Sequence, residues 1–140
     1  MFKPIQNWSD KLGFAAYKKQ ASWLQIAQAS LQYAQQQGDV LTQIKAVKLL
    51  SDAIPNDVNL AYQAGTSLIQ LGRPIEAPRY LKRVLQQEAN HTNAMLALAH
   101  AYVQQQKLAK ALSYLEQVIA LEPNNPVAND IIPQIKQRLN

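Results

Sequence analysis

The stretch Thr92 to Asn125 reads TNAMLALAHAYVQQQKLAKALSYLEQVIALEPNN, two apolar-periodic runs separated by a polar break and closed by Pro-Asn-Asn. The same plan stands 34 residues earlier, where Ala111 falls on Ala77, Leu115 on Leu81 and Val118 on Val84. A second step of that size brings Leu50 beneath the valine column and Pro55 beneath Pro123. Self-similarity at this period, with two helical patterns per unit, is the signature of a helical repeat array. One such unit cannot bury its own apolar face, so neighbouring units must stack.

Composition agrees with a folded domain. The chain has 140 residues, of which 48% are hydrophobic, enough for a sizeable core and too many for a disordered segment. Cysteine is absent, which excludes disulfides, thiolate metal sites and thiol catalysis. The formal net charge is +5, but only 16% of residues are charged, and glutamine carries much of the polar surface. A basic balance produced by few acids admits nucleic acid or an acidic partner without pointing strongly to either. No apolar run at the N-terminus is long enough for a signal peptide or a membrane span, so a cytoplasmic protein without membrane contact is expected. A signal peptide already removed would leave no trace.

Along the chain, residues 1–20 read as an N-terminal helical extension. Ser9 and Asp10 are candidate caps for a helix over Lys11 to Lys19, and Trp8 and Phe14 are candidate core anchors. A helix running unbroken from there into the next segment is the alternative. Residues 21–125 form the repeat array, in units 24–57, 58–91 and 92–125. From Ala21 to Gln37, Trp23, Ile26 or Ala27, Ser30 or Leu31, and Ala34 recur at helical spacing, and Gly38-Asp39 supplies the break. Thr42 to Ile54 is the partner helix, with Ile44, Val47, Leu50 and Ile54 on one stripe. Val58 to Leu71 follows, closed by Gly72. Pro74 is placed at the start of the next helix, which makes Pro78 an interior proline and predicts a tightened or kinked first turn. Asn93 to Gln105 and Leu108 to Leu121 make the last pair. Residues 126–140 form a capping helix that Pro133 should kink or restart, with Asn129, Gln134, Gln137 and Arg138 as its solvating side.

These columns resemble the tetratricopeptide repeat (TPR) family. The last unit has Leu98-Ala99 at the family's Leu-Gly, Tyr102 at its tyrosine, Ala111 at its alanine, Leu115 at its large residue and Pro123 at its closing proline. The middle unit has Ala64-Gly65, Leu68, Gly72, Glu76-Ala77, Leu81 and Val84, with Ala89 replacing the proline. The first unit is degenerate, since Gln43 stands in the alanine column. The resemblance implies an all-α, right-handed stack of about three antiparallel helix pairs. It also implies close backbone approach at Gly65, Ala77, Ala99 and Ala111, where a larger residue would overpack by about 1–3 kcal/mol.

By the same resemblance, the first helix of each pair lines a concave face that binds a peptide or helix. The matching positions are Gln25, Gln28, Gln32 and Gln35 in the first unit, then Asn59, Tyr62, Thr66 and Ile69, and then Asn93, Leu96, His100 and Val103. The last eight are the candidate partner-binding groove. Their asparagines can donate to and accept from a peptide backbone. Tyr62, Ile69, Leu96 and Val103 offer the apolar contact in which binding energy concentrates. No Lys or Arg falls in these columns, so the family's clamp for a chaperone's C-terminal carboxylate is not expected. The plainer alternative is a structural spacer whose groove faces water.

The cations Lys45, Lys48, Arg79, Lys82, Arg83, Lys107 and Lys110 lie on second helices or the turns before them, and read as a solvated face. A nucleic-acid surface would interleave aromatics, and only Tyr80 and Tyr114 are placed for that, Tyr80 as half-buried packing. His91 and His100 match no metal or catalytic spacing, and neither a Gly-rich phosphate loop nor paired carboxylates occur. The chain therefore reads as a non-enzyme with no metal, cofactor or small-molecule substrate. The expected function is a protein–protein interaction module or adaptor, in its specific form a chaperone for an exported or assembling protein. A self-assembling scaffold, with Phe2 and Trp8 stacking on another copy, is the second class, and nucleic-acid binding through the basic rim the third.

Overall fold

The computed structural model describes the backbone from residue 10 to residue 140 and side chains from residue 24. The expected roles of Phe2, Trp8, Phe14 and Trp23 lie outside the described residues. The described residues form seven helices and no strand: α1 (Asp10–Gln37), α2 (Val40–Ala53), α3 (Val58–Gln70), α4 (Ala77–Gln87), α5 (Thr92–Gln104), α6 (Leu108–Leu121) and α7 (Pro126–Leu139). This is an all-α helical repeat fold. Two compact units divide it, one ending at Ala53 and the other starting at Ile54.

In the first unit α1 is one helix of 28 residues, with no break between the two segments expected there. Among its described side chains, Ala27, Leu31 and Ala34 are buried, and Ile26 and Ser30 are exposed. They pack with α2, which buries Ile44, Ala46, Val47, Leu50 and Ser51. Asp39 starts α2 two residues earlier than expected, because its carboxylate accepts from the Thr42 N–H (3.1 Å) and hydroxyl (2.7 Å). Those bonds hold the Asp39 carboxyl below the usual carboxylate range. Gln43, the misfit of the alanine column, is half-buried and donates its amide to the Ala34 carbonyl at 3.3 Å.

In the second unit α3 packs on α4, α4 on α5, α5 on α6 and α6 on α7, and α3 also touches α5. Leu68, Leu81, Val84, Leu98, Leu115, Val118 and Ile135 are fully buried between them. Truncating any one of the leucines or Ile135 to alanine costs about 2–5 kcal/mol. Three details depart from expectation. The fourth helix starts at Ala77, not at Pro74. Residues 74–76 form a turn, closed by Glu76 N–H donating to the Arg73 carbonyl at 3.3 Å, so Pro78 sits in the helix's first turn, where no backbone donor is needed. Tyr80 is fully buried rather than half-buried. Finally, α7 continues through Pro133 as one element without a restart.

Two further columns obey the repeat. The helix caps Asp57, His91 and Asn125 each accept from the N–H three residues on, at Leu60 (2.9 Å), Ala94 (3.0 Å) and Ala128 (3.0 Å). The left-handed positions are Gly38 (φ 70), Gly72 (φ 80) and Gln106 (φ 62). Each closes its helix by a bond spanning six residues: Asp39 N–H to the Ala34 carbonyl, Arg73 to Leu68, and Lys107 to Tyr102.

A candidate interaction face on the third and fifth helices

The eight candidate residues fall on one face each of α3 and α5. The offsets Asn59, Tyr62, Thr66 and Ile69 recur as Asn93, Leu96, His100 and Val103 one repeat later, at spacings of three and four that return to the same side of a helix. None of the eight is buried. Asn59, Asn93 and His100 are exposed, and Tyr62, Thr66, Ile69, Leu96 and Val103 are half-buried. An apolar side chain held half in and half out keeps its rotamer while leaving surface to offer. Neither helix carries a Lys, Arg, Asp or Glu, so the face has no formal charge while His100 is neutral.

Two of the eight are more constrained than their spacing indicates. Tyr62 packs against the buried Ala61, Val84 and Ala94, and its ring centroid lies 5.3 Å from that of His91. Its packing ties α3 to the first turn of α5. Thr66 donates its hydroxyl to the Tyr62 carbonyl at 2.9 Å, inside its own helix, so the proton is already used. His100 accepts from the Gln104 side-chain amide, Nε2 to Nε2 at 2.9 Å, which orients the ring.

His91 and Gln104 were not among the expected groove residues. His91 was legible only as part of a turn, because histidine is not a usual cap. The 34-residue column it shares with Asp57 and Asn125 is the signal that identifies it. Its Nδ1 can accept the Ala94 N–H only with the ring proton on Nε2. Among the described residues no cluster of His, Asp or Glu could hold a metal ion, and no helix is long and apolar enough to cross a membrane.

Residues 68–132, just under half of the chain, match the family model for the tetratricopeptide repeat. This stretch is tetratricopeptide repeat sequence. It runs from the last three residues of α3 through the middle of α7, so the TPR columns named from the sequence fall largely within it. No curated protein matches the chain by sequence at a significant level. Solved structures do. The first TPR domain of Spaghetti (RPAP3), bound to an HSP90 peptide, superimposes with a TM-score of 0.68 at 23% identity, over 83% of this chain and 92% of that one. MamA superimposes at 0.71 with 22% identity, over 83% of this chain and 63% of that one. The Yersinia enterocolitica type III secretion chaperone SycD, in complex with a peptide of the translocator YopD, gives 0.68 at 17% identity, over 85% and 96%. At these identities the likeness is one of TPR fold.

Proposed function

We propose that the α3–α5 face is the working surface of a protein-interaction module and holds an uncharged, partly apolar segment of a partner protein. The observation that carries this is the pairing of half-buried Tyr62, Ile69, Leu96 and Val103 with exposed Asn59, Asn93 and His100 on two helices without a formal charge. The apolar members would be covered by the partner's side chains, and the asparagines would read its backbone. Structures of the same fold include several peptide complexes, which supports a peptide as the occupant.

The chemistry of the face selects among such peptides. Spaghetti holds SRMEEVD, with three acidic residues, and an acidic tail of that kind needs cations. The α3–α5 face supplies none. A translocator segment, as held by SycD, is the better guide, and the resulting activity is chaperone-like shielding of an apolar stretch.

Site-specific photo-crosslinking in the native cell tests this, with probes at Asn59 and Asn93 and a control at exposed Gln117 on α6. One discrete protein adduct is expected at both groove positions, absent at Gln117 and lost on adding Leu96→Asn. An adduct that also forms at Gln117, or that survives Leu96→Asn in a chain with unchanged circular dichroism, would overturn the reading.

A further inference from the structure

Helix α4 carries Arg79, Lys82 and Arg83 and no acid, and α5 and the first two turns of α6 carry no acid either. Two cations of this region converge on one ring. Lys82 Nζ lies 6.0 Å from the Tyr102 ring centroid, and Lys110 Nζ lies 5.5 Å from the same centroid. The lysines come from α4 and α6 and the tyrosine from α5, so three helices build the cluster. Tyr102 is 4% exposed and stacks on Tyr114, with ring centroids 5.9 Å apart and planes inclined by 12°. The phenol pair is thus a floor fixed by packing, and the two ammonium groups stand at its rim. The nearby Tyr102 phenol holds the Lys82 ammonium above the usual lysine range, so the charge is retained.

The π face of Tyr102 holds each ammonium at the ring, and no acid on α4, α5 or the first two turns of α6 neutralises them. A carboxylate brought to either ammonium accepts a charge-assisted hydrogen bond, and an acidic segment brings one to each. We infer that Lys82 and Lys110, set over the Tyr102–Tyr114 stack, form a carboxylate-binding site for an acidic segment of a protein partner. The site uses a different side of α5 from His100 and Val103, because residues two apart or adjacent on a helix do not share a face. It stands independently of the α3–α5 groove.

The burial of the rings decides between an acidic peptide and single-stranded nucleic acid. Bases bind such proteins by stacking on open aromatic faces. Tyr80 is 1% exposed beneath Arg79 and Arg83, Tyr102 is buried, and Tyr114 has one face against Tyr102. Tyr114 is half-buried, so the cluster offers its ammonium donors with at most part of one ring for stacking, which favours a carboxylate over a base.

Fluorescence anisotropy of the full chain tests this, with labelled hexaglutamate, hexaglutamine and oligothymidylate as probes at low salt and at about 0.15 M salt. Hexaglutamate should bind and hexaglutamine should not. The double variant Lys82→Gln/Lys110→Gln should weaken hexaglutamate by about tenfold or more, with an unchanged melting curve. Lys82→Arg/Lys110→Arg should keep it. Three results would overturn the proposal: no hexaglutamate binding at low salt, an equal loss from the control pair Lys45→Gln/Lys107→Gln, or oligothymidylate binding at least as tightly through the same two lysines.

Discussion

The Tyr62 ring leans on the His91 ring at 5.3 Å between centroids, 38° from parallel, and His91 at the same time caps α5 through Nδ1. One side chain therefore joins the candidate face to the start of the next helix. His91→Asn keeps a cap acceptor at the position, whereas His91→Ala leaves the Ala94 N–H without its partner and removes the ring beneath Tyr62. Chemical denaturation should show His91→Ala destabilised by about 1 kcal/mol and His91→Asn by clearly less. Equal losses from both would mean that ring packing, not the cap, is the larger contribution.

Gly65 lies in mid-helix in α3, where alanine would ordinarily gain about 1 kcal/mol in helix propensity. Here a Cβ would meet the Leu81 side chain, with Cδ2 at 2.6 Å, and Leu81 is 0% exposed and has nowhere to move. Overpacking of about 1–3 kcal/mol outweighs the propensity gain. Gly65→Ala should therefore lower the melting temperature. In a Leu81→Ala background the same change should cost less or turn stabilising, a coupling that a double-mutant cycle reads directly.

The repeat columns made most of the fold legible. Ala77 and Ala111, Leu81 and Leu115, and Val84 and Val118 share a place in the period, and all six are fully buried. The last helix pair and the start of α7 followed from the same pattern, with α6 bounded as expected at Leu108 and Leu121. Local chemistry was harder to read. Pro74 and Pro78 are both compatible with a helix's first turn, and spacing alone could not choose between them. Pro133 reads as a breaker because proline deletes a backbone bond, yet α7 continues across it, with Ala128 and Ile135 buried on either side. The first unit's degenerate column has its own local chemistry: Gln43 uses its amide on the Ala34 carbonyl, where the other units bury Ala77 and Ala111. For the candidate face, the family resemblance named eight positions, but it did not indicate that the Thr66 hydroxyl is already bonded in its own helix.

Glu122 accepts from the Thr92 hydroxyl at 2.7 Å and from the Asn125 amide at 3.0 Å. These bonds, the Thr92 one foremost, hold its carboxyl below the usual glutamate range. A carboxylate with a depressed folded-state pKa adds stability above its unfolded value and loses that contribution as pH falls through the folded one. NMR titration should place Glu122 below the ordinary glutamate range, and Thr92→Val should move it upward. A titration midpoint indifferent to Thr92→Val would show that the hydroxyl bond is not formed in solution.

Gln106 occupies the left-handed position that Gly38 and Gly72 hold in the other units, at φ 62. A residue with a Cβ is strained there by about 1–2 kcal/mol, and glycine is not. The Gln106 side chain has one compensation, since its Oε1 accepts from Arg138 Nη2 at 2.7 Å. That bond is exposed, so water competes for both partners and reduces its net contribution. The backbone strain is thus the larger quantity. Gln106→Gly should raise stability by up to about 1 kcal/mol, and Gly72→Ala, which creates the same strain where none exists, should lower it by about as much. Denaturant midpoints of the two variants check the pair. If Gln106→Gly is destabilising instead, the tie from Arg138 in α7 to the turn before α6 matters more to the stack than the strained backbone does.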